Sequence, residues 1–180
     1  MFARTERLTL RPGWIEDAPA LRAAIGHEAV VRNLSRAPWP YTLADAKAFL
    51  AGWRDDAGPT FLIFAHDGGH CDLIGGIGIG PLGDVPNMLG YWLSPTAWGR
   101  GYATEAGRAV LDIATSLGMN RIEAGHYVDN PASGAVLRRL GFTATGTRSA
   151  VHSRGRGMEV ETIDHAIDLS HRRRDWRLAA

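Results

Sequence analysis

The chain predicts an α/β protein, an α+β mixed sheet with helices packed on it, and three observations carry that expectation. Apolar runs of strand length recur from one end of the chain to the other. Longer stretches with apolar residues at helical spacing lie between them, and glycine or proline marks most junctions. The 180 residues show no repeat, linker or low-complexity tract, which predicts one domain over 1–180.

Each element has a local reason. Residues 5–11 alternate as a strand that Pro12-Gly13 ends, and residues 17–28 have a helical pattern. Thr42 caps a helix over 43–55, with Leu43, Ala46, Phe49, Leu50 and Trp53 on one side. Residues 61–65 and 71–80 read as a hairpin around Asp67-Gly68-Gly69. Residues 88–93 form a buried strand ended by Ser94-Pro95, and a helix over 102–117 stops at Gly118. A strand over 121–128 precedes a short helix that Pro131 opens and Gly141 closes. Residues 142–147 and 159–169 make the last strands.

Composition narrows the function. Lys and Arg total 20 against 19 Asp plus Glu, a net charge of +1, which argues against a nucleic-acid partner. Lys47 is the only lysine, so the cations are arginines suited to planar contacts with carboxylate or phosphate. The single cysteine, Cys71, rules out an internal disulfide framework and fits a reducing compartment. Residues 1–7 lack an apolar signal core and no run approaches a membrane span. The expectation is a cytoplasmic protein, monomer or homodimer, without a membrane partner.

The densest signal is Trp98-Gly99-Arg100-Gly101-Tyr102-Ala103-Thr104-Glu105-Ala106, a glycine-punctuated turn between a strand and a helix. Gly99 and Gly101 let backbone approach a ligand closely, and residues 100–104 offer the unpaired N–H groups of a new helix. With the helix dipole behind them these donors suit a pyrophosphate, although a plain helix start would use the same residues.

Trp98-x-x-Gly101-x-Ala103 resembles the acyl-CoA pyrophosphate loop of the GNAT N-acetyltransferase superfamily, with Trp98 in place of the usual Gln or Arg. That Trp, with Thr104-Glu105-Ala106, is similar to the RimJ/RimL-like branch. Three more stretches resemble the family in order: residues 5–12, residues 73–78, and Asn130-Pro131-Ala132-Ser133 with Leu140-Gly141-Phe142. The resemblance implies a mostly antiparallel mixed sheet splayed at one parallel strand pair, acetyl-CoA as co-substrate, no metal, and a primary amine as acceptor. The favoured acceptor is a protein or peptide N-terminal α-amine. A small-molecule amine and a non-catalytic acyl-CoA sensor are the alternatives.

It also implies site residues. The backbone of Tyr91, Trp92 and Leu93 is expected to pair with the pantetheine arm, and an N–H at Leu93 to polarise the thioester carbonyl. Trp98, Gly99, Arg100, Gly101, Tyr102, Ala103 and Thr104 are expected at the pyrophosphate. Asn130 is expected at the pantetheine amide, and Ser133 at the leaving thiolate; as a helix cap and a first-turn residue they have simpler roles. Many relatives carry a Tyr general acid where this chain has Leu137, and an acid where it has Met88.

A fixed base is therefore hard to name. A lysine ε-amine with pKa about 10.4 costs about 4.6 kcal/mol to neutralise at pH 7, against about 1 kcal/mol for an α-amine near 7.8. His126 has a suitable unperturbed pKa but is equally a packed strand residue. Glu105 reads better as a partner of the helix dipole, and Glu16, Asp84 and Glu161 complete the candidates. Trp39 and Tyr41, in the loop between the first two helices, are candidates for the acceptor wall, although aromatics among prolines also serve to pin a loop onto the core.

Three patterns are set aside. Gly78-Ile79-Gly80-Pro81-Leu82-Gly83 fits G-x-G-x-x-G, but no helix opens after it. His66, His70 and Cys71 with Asp67 and Asp72 surround a turn and lack the spacing of a zinc site. The basic stretch 171–177 is too short for a nucleic-acid patch.

Overall fold

In a computed structural model of the chain, which describes residues 1–53, 58–67 and 70–170, eight strands form one sheet with helices on both faces. The strands are β1 (Ala3–Arg4), β2 (Leu8–Arg11), β3 (Thr60–Asp67), β4 (His70–Leu82), β5 (Val85–Leu93), β6 (Arg121–Tyr127), β7 (Thr143–Ser153) and β8 (Met158–Asp168). The helices are α1 (Ala18–Ile25), α2 (Glu28–Val31), α3 (Leu43–Ala51), α4 (Tyr102–Ser116) and α5 (Pro131–Leu140). Strand order is β1-β2-β3-β4-β5-β6-β8-β7, and only β5 and β6 run parallel.

The pleat distributes the core. Along β3, Phe61, Ile63 and Ala65 join the cluster under α4 and α5, whereas Leu62 and Phe64 join the cluster under α1 to α3. Burial on both faces explains why this strand reads as an unbroken apolar run. On β5 the same alternation sends Leu89, Tyr91 and Leu93 toward α4 and α5, and Trp92 toward α1 to α3.

Several boundaries moved. The helix expected over 17–28 is interrupted at Gly26, whose N–H bonds Arg22 O at 2.9 Å, and restarts after His27 as α2. The expected cap at Thr42 is present: its hydroxyl accepts from Asp45 N, and Asp45 in turn accepts from Thr42 N at 2.8 Å. The end of that expected helix at residue 55, the turn residues Gly68 and Gly69, and the basic stretch 171–177 lie outside the described residues. Strand β7 continues to Ser153 although its sequence turns polar at 147, because it is an edge strand exposed along most of its length. The G-x-G-x-x-G stretch is the end of β4 and its turn into β5.

The feature that positions the site is the parallel seam. Strands β5 and β6 pair only at Met88 with Glu123 and Leu89 with Ala124. Beyond Leu89 they separate, so residues 90–93 and 125–127 flank an opening in the middle of the sheet.

Candidate active site

Backbone polarity at this opening follows from strand alternation. Ser94 N–H donates to Ile74 O at 2.7 Å, so Ser94 and Trp92 address β4, while Tyr91 and Leu93 turn their N–H and C=O toward the opening. The Leu93 carbonyl is taken there by Trp98 Nε1 at 2.8 Å, and the Leu93 N–H faces the same opening. Of the three residues expected to pair with pantetheine, Tyr91 and Leu93 therefore present their backbone and Trp92 does not. The first position of the loop, Trp98, acts through its indole on the strand end.

The loop closes the opening at the start of α4. Gly99 and Gly101 have φ of 72° and 81°, a conformation other residues reach only with strain, and a Cβ on Gly99 would meet nothing within 4 Å. The N–H groups of Tyr102, Ala103 and Thr104 begin the helix and have no acceptor within it. The Tyr102 and Thr104 side chains are buried, so these residues offer their backbone alone.

Glu105 is occupied. Its Oε1 accepts from Thr5 Oγ1 at 2.6 Å and from Arg7 N at 3.0 Å, and its Oε2 from Arg7 Nε at 2.8 Å. Burial would raise this carboxyl, but the bonds from Thr5 and Arg7 hold it below its ordinary value. Arg7 also donates to Arg100 O at 3.1 Å and lies 4.7 Å over the Tyr102 ring. Residues expected only to open the first strand thus brace the glycine loop, and Glu105 is not a free base.

At the other side of the opening, Asn130 Oδ1 accepts from Ser133 N at 3.2 Å and caps α5. The Ser133 hydroxyl lies 2.7 Å from the Tyr91 hydroxyl, which also reaches Ser133 O at 3.1 Å. Burial pushes the Tyr91 phenol up to about 12, so it stays protonated and can act as a donor. The sequence points to the Tyr91 backbone and misses this hydroxyl, whose partner is 42 residues away. Leu137, where many relatives carry tyrosine, is core. Ahead of α5, Asp129 takes Arg156 at 2.9 and 3.0 Å and Arg32 at 3.0 Å.

His126 does not join this group. It is buried on the α5 side of the sheet, its ring 5.1 Å from that of His165, and a Cβ on Gly134 would come within 2.7 Å of it. Burial, with His165 and Arg138 nearby, lowers its pKa. It borders a cleft of about 500 Å³ with Arg138, Phe142 and His165, apart from the glycine loop. The carboxylates expected as bases are also elsewhere: Glu16 is exposed in a short 3-10 helix, Asp84 is exposed in a turn, and Glu161 pairs with Arg148 at 3.0 Å.

On the face toward α1 to α3, Trp39 is 42% exposed whereas Tyr41 is packed into the core, its phenol pushed up to about 12 by burial and the nearby Asp45. Trp39 alone remains available as a wall. The histidines set aside lie on the β3–β4 hairpin, where His66 pairs with Cys71 and bonds Thr9 Oγ1 at 2.7 Å.

A mixed sheet opened at its one parallel pair, with a glycine loop and helix start at the opening, defines an acyltransferase of the acyl-CoA type. Residues 7–143 match the acetyltransferase (GNAT) domain, and the chain belongs to that family. It is 30% identical over 148 residues to the N-acetyltransferase YoaA of Bacillus subtilis, covering 79% of this chain and 82% of that one. An acetyltransferase structure from Agrobacterium tumefaciens superposes with a TM-score of 0.69 at 28% identity, over 93% of this chain and 94% of that one. RimL, a ribosomal alpha-N-protein acetyltransferase in complex with coenzyme A, superposes at 0.75 with 20% identity, over 93% and 98%, a likeness of fold. Among the described residues no helix is long and apolar enough to cross a membrane.

Proposed function

We propose that this chain transfers acetyl from acetyl-CoA directly to a primary amine, with the α-amine of a peptide or protein terminus as the favoured acceptor, in the cytoplasm. The supporting observation is that a strand N–H at Leu93 and a hydroxyl pair, Ser133 with Tyr91, border the same opening as the helix start.

The roles follow from these positions. Backbone N–H groups of Gly99 to Thr104 hold the pyrophosphate of the co-substrate, and Tyr91 and Leu93 hold the pantetheine arm. Asn130 keeps α5 in register so that Ser133 stays at the opening. Leu93 N–H donates to the thioester oxygen as negative charge grows on it; losing one such donor typically raises a barrier by about 2.7 to 4 kcal/mol. The amine nitrogen bonds to the acetyl carbon, the C–S bond breaks, and the amine loses a proton to water. Ser133 Oγ–H donates a proton to the departing sulfur, Tyr91 O–H, 2.7 Å away, replaces it, and Tyr91 recovers its proton from the water that took the amine's. Amide and free thiol are the products, and no covalent enzyme intermediate forms. Cys71 is exposed on the β3–β4 hairpin and takes no part.

The α-amine preference rests on protonation. With Glu105 occupied and Met88 in place of an acid, the acceptor must supply its own neutral form, which is about three pKa units easier for an α-amine than for lysine. RimL, an alpha-N-protein acetyltransferase of the same fold, points the same way. The test supplies purified protein with acetyl-CoA and three acceptors: a free N-terminal peptide, the same peptide blocked at its terminus with an internal lysine, and a small-amine panel. Thiol release reports turnover and mass spectrometry locates the acetyl group. Acetylation of the free terminus, with a rate rising from about pH 7 to 8.5 at subsaturating acceptor, is expected. Acetyl on the lysine ε-nitrogen with the terminus unmodified overturns the acceptor, and no thiol release with bound acetyl-CoA overturns catalysis.

A further inference from the structure

We infer that Asp164 is a specificity-determining residue that receives the acceptor's ammonium group at the mouth of the opening, an inference that rests on the proposed acetyl transfer to an amine. Asp164 lies on β8 directly opposite Gly125 of β6, one of the residues where β6 has left β5. Continuing the register of Met88 with Glu123 and Leu89 with Ala124 places Gly90 level with Gly125, on the face toward α1 to α3. A Cβ on Gly90 would meet nothing within 4 Å, and one on Gly125 would lie 3.8 Å from Asp164 Oδ1. On this face Gly90 and Gly125 themselves put no side chain into the opening at the level of the carboxylate, and Thr162, 3.7 Å from a Cβ on Gly125, lies beside it.

The partners of Asp164 set it apart from its neighbours. Ser149 Oγ donates to its Oδ2 at 2.6 Å and Thr147 Oγ1 at 3.1 Å, while Thr162 Oγ1 reaches its Oδ1 at 3.1 Å. All three are neutral hydroxyls. The other carboxylates around the opening each hold an arginine: Glu105 with Arg7, Asp129 with Arg32 and Arg156, Glu123 with Arg121, and Glu161 with Arg148. In an arginine-rich chain, a half-buried carboxylate fixed by three hydroxyls and paired with no arginine among the described residues is preorganised for a cation from outside. A primary ammonium suits it: three N–H donors on a compact head that fits where two glycines leave room. One N–H stays on Asp164 as the amine loses a proton to water, which leaves the lone pair free to turn toward the opening.

The test compares acceptors of different charge in the wild type and Asp164→Asn. The probes, compared at pH 7, are a randomised hexapeptide pool with free N-termini, whose α-amines are mostly cationic there, and hydroxylamine, a weaker base that is mostly uncharged, each corrected for the uncatalysed rate. The expected result is at least a tenfold loss of kcat/KM for the peptide pool, less than a twofold change for hydroxylamine, and unchanged acetyl-CoA affinity. Equal losses for both acceptors, or peptide kcat/KM within twofold of wild type, overturn the inference and leave acetyl transfer standing. A wild-type protein that acetylates neither probe removes the reading and the inference together. Thr147→Val with Ser149→Ala is the second variant. It keeps the charge but releases its direction, and should lower the peptide-to-hydroxylamine ratio at least threefold; an unchanged ratio overturns the inference even if Asp164→Asn fails to fold.

Discussion

Removing the Ser133 hydroxyl separates catalysis from binding. In Ser133→Ala the Tyr91 phenol keeps a partner, because it already reaches Ser133 O at 3.1 Å, so no buried donor is orphaned. The stability loss should be only about 1 kcal/mol, that of one ordinary hydrogen bond. Turnover should fall much further, since the lost donor acts as charge develops on sulfur: about tenfold to a thousandfold in kcat, or about 1.4 to 4 kcal/mol of barrier, with acetyl-CoA affinity within about twofold. Tyr91→Phe should give a smaller loss, because Ser133 keeps its own proton and loses only the group that replaces it. If the two hydroxyls act in series, the double variant should be little worse than Ser133→Ala, whereas independent sites would add. The assay is single-turnover thiol release at saturating acetyl-CoA, with affinity from calorimetry. The phenol at about 12 stays protonated below about pH 11, so no loss of turnover from its deprotonation should appear in the assay range. Wild-type kcat in Ser133→Ala, or additive losses in the double variant, would refute the relay.

Gly101→Asp should abolish acetyl-CoA binding in a folded protein, because φ of 81° strains any side chain there and the new carboxylate repels phosphate; unchanged calorimetric affinity would contradict the loop assignment. Glu105→Gln should lower stability by about 1 kcal/mol at pH 7 in chemical denaturation. Because the folded carboxyl is depressed, its contribution is complete above the unfolded value near 4.3 and disappears as pH falls through the lower folded value, so the variant and wild type should converge in acid. A gap that persists at the lowest pH would place the loss in packing instead.

Legibility in the sequence tracked the range of the interaction. Helix α4 was readable because its apolar spacing and bracketing glycines are local, and its start matched the expected residue. Strand β7 beyond Thr147 was not, since an edge strand facing water shows no apolar alternation. The opening between β5 and β6 followed from a family pattern, but its side-chain furniture did not. Tyr91 meets Ser133 across 42 residues, Arg7 meets Glu105 across 98, and Asp164 gathers hydroxyls from a neighbouring strand. None of these pairings leaves a periodic trace. Tyr41 shows the converse: an aromatic in the proline-rich loop reads as a candidate acceptor wall and is a buried residue.

The two-residue seam between β5 and β6 has a mechanical consequence. Within the sheet, β1 to β5 and the group β6, β8 and β7 are two leaves stitched along a single short line, and among the described residues no other backbone ladder crosses between them. A ligand filling the gap would act as mortar, adding hydrogen bonds to both leaves where the ladder stops. Since such a ligand recognises only the folded chain, a hundredfold excess over Kd should add about 2.7 kcal/mol to stability. Hydrogen exchange should report where that gain resides, with new protection at Tyr91 and Leu93 and little change at the outer edges β1 and β7.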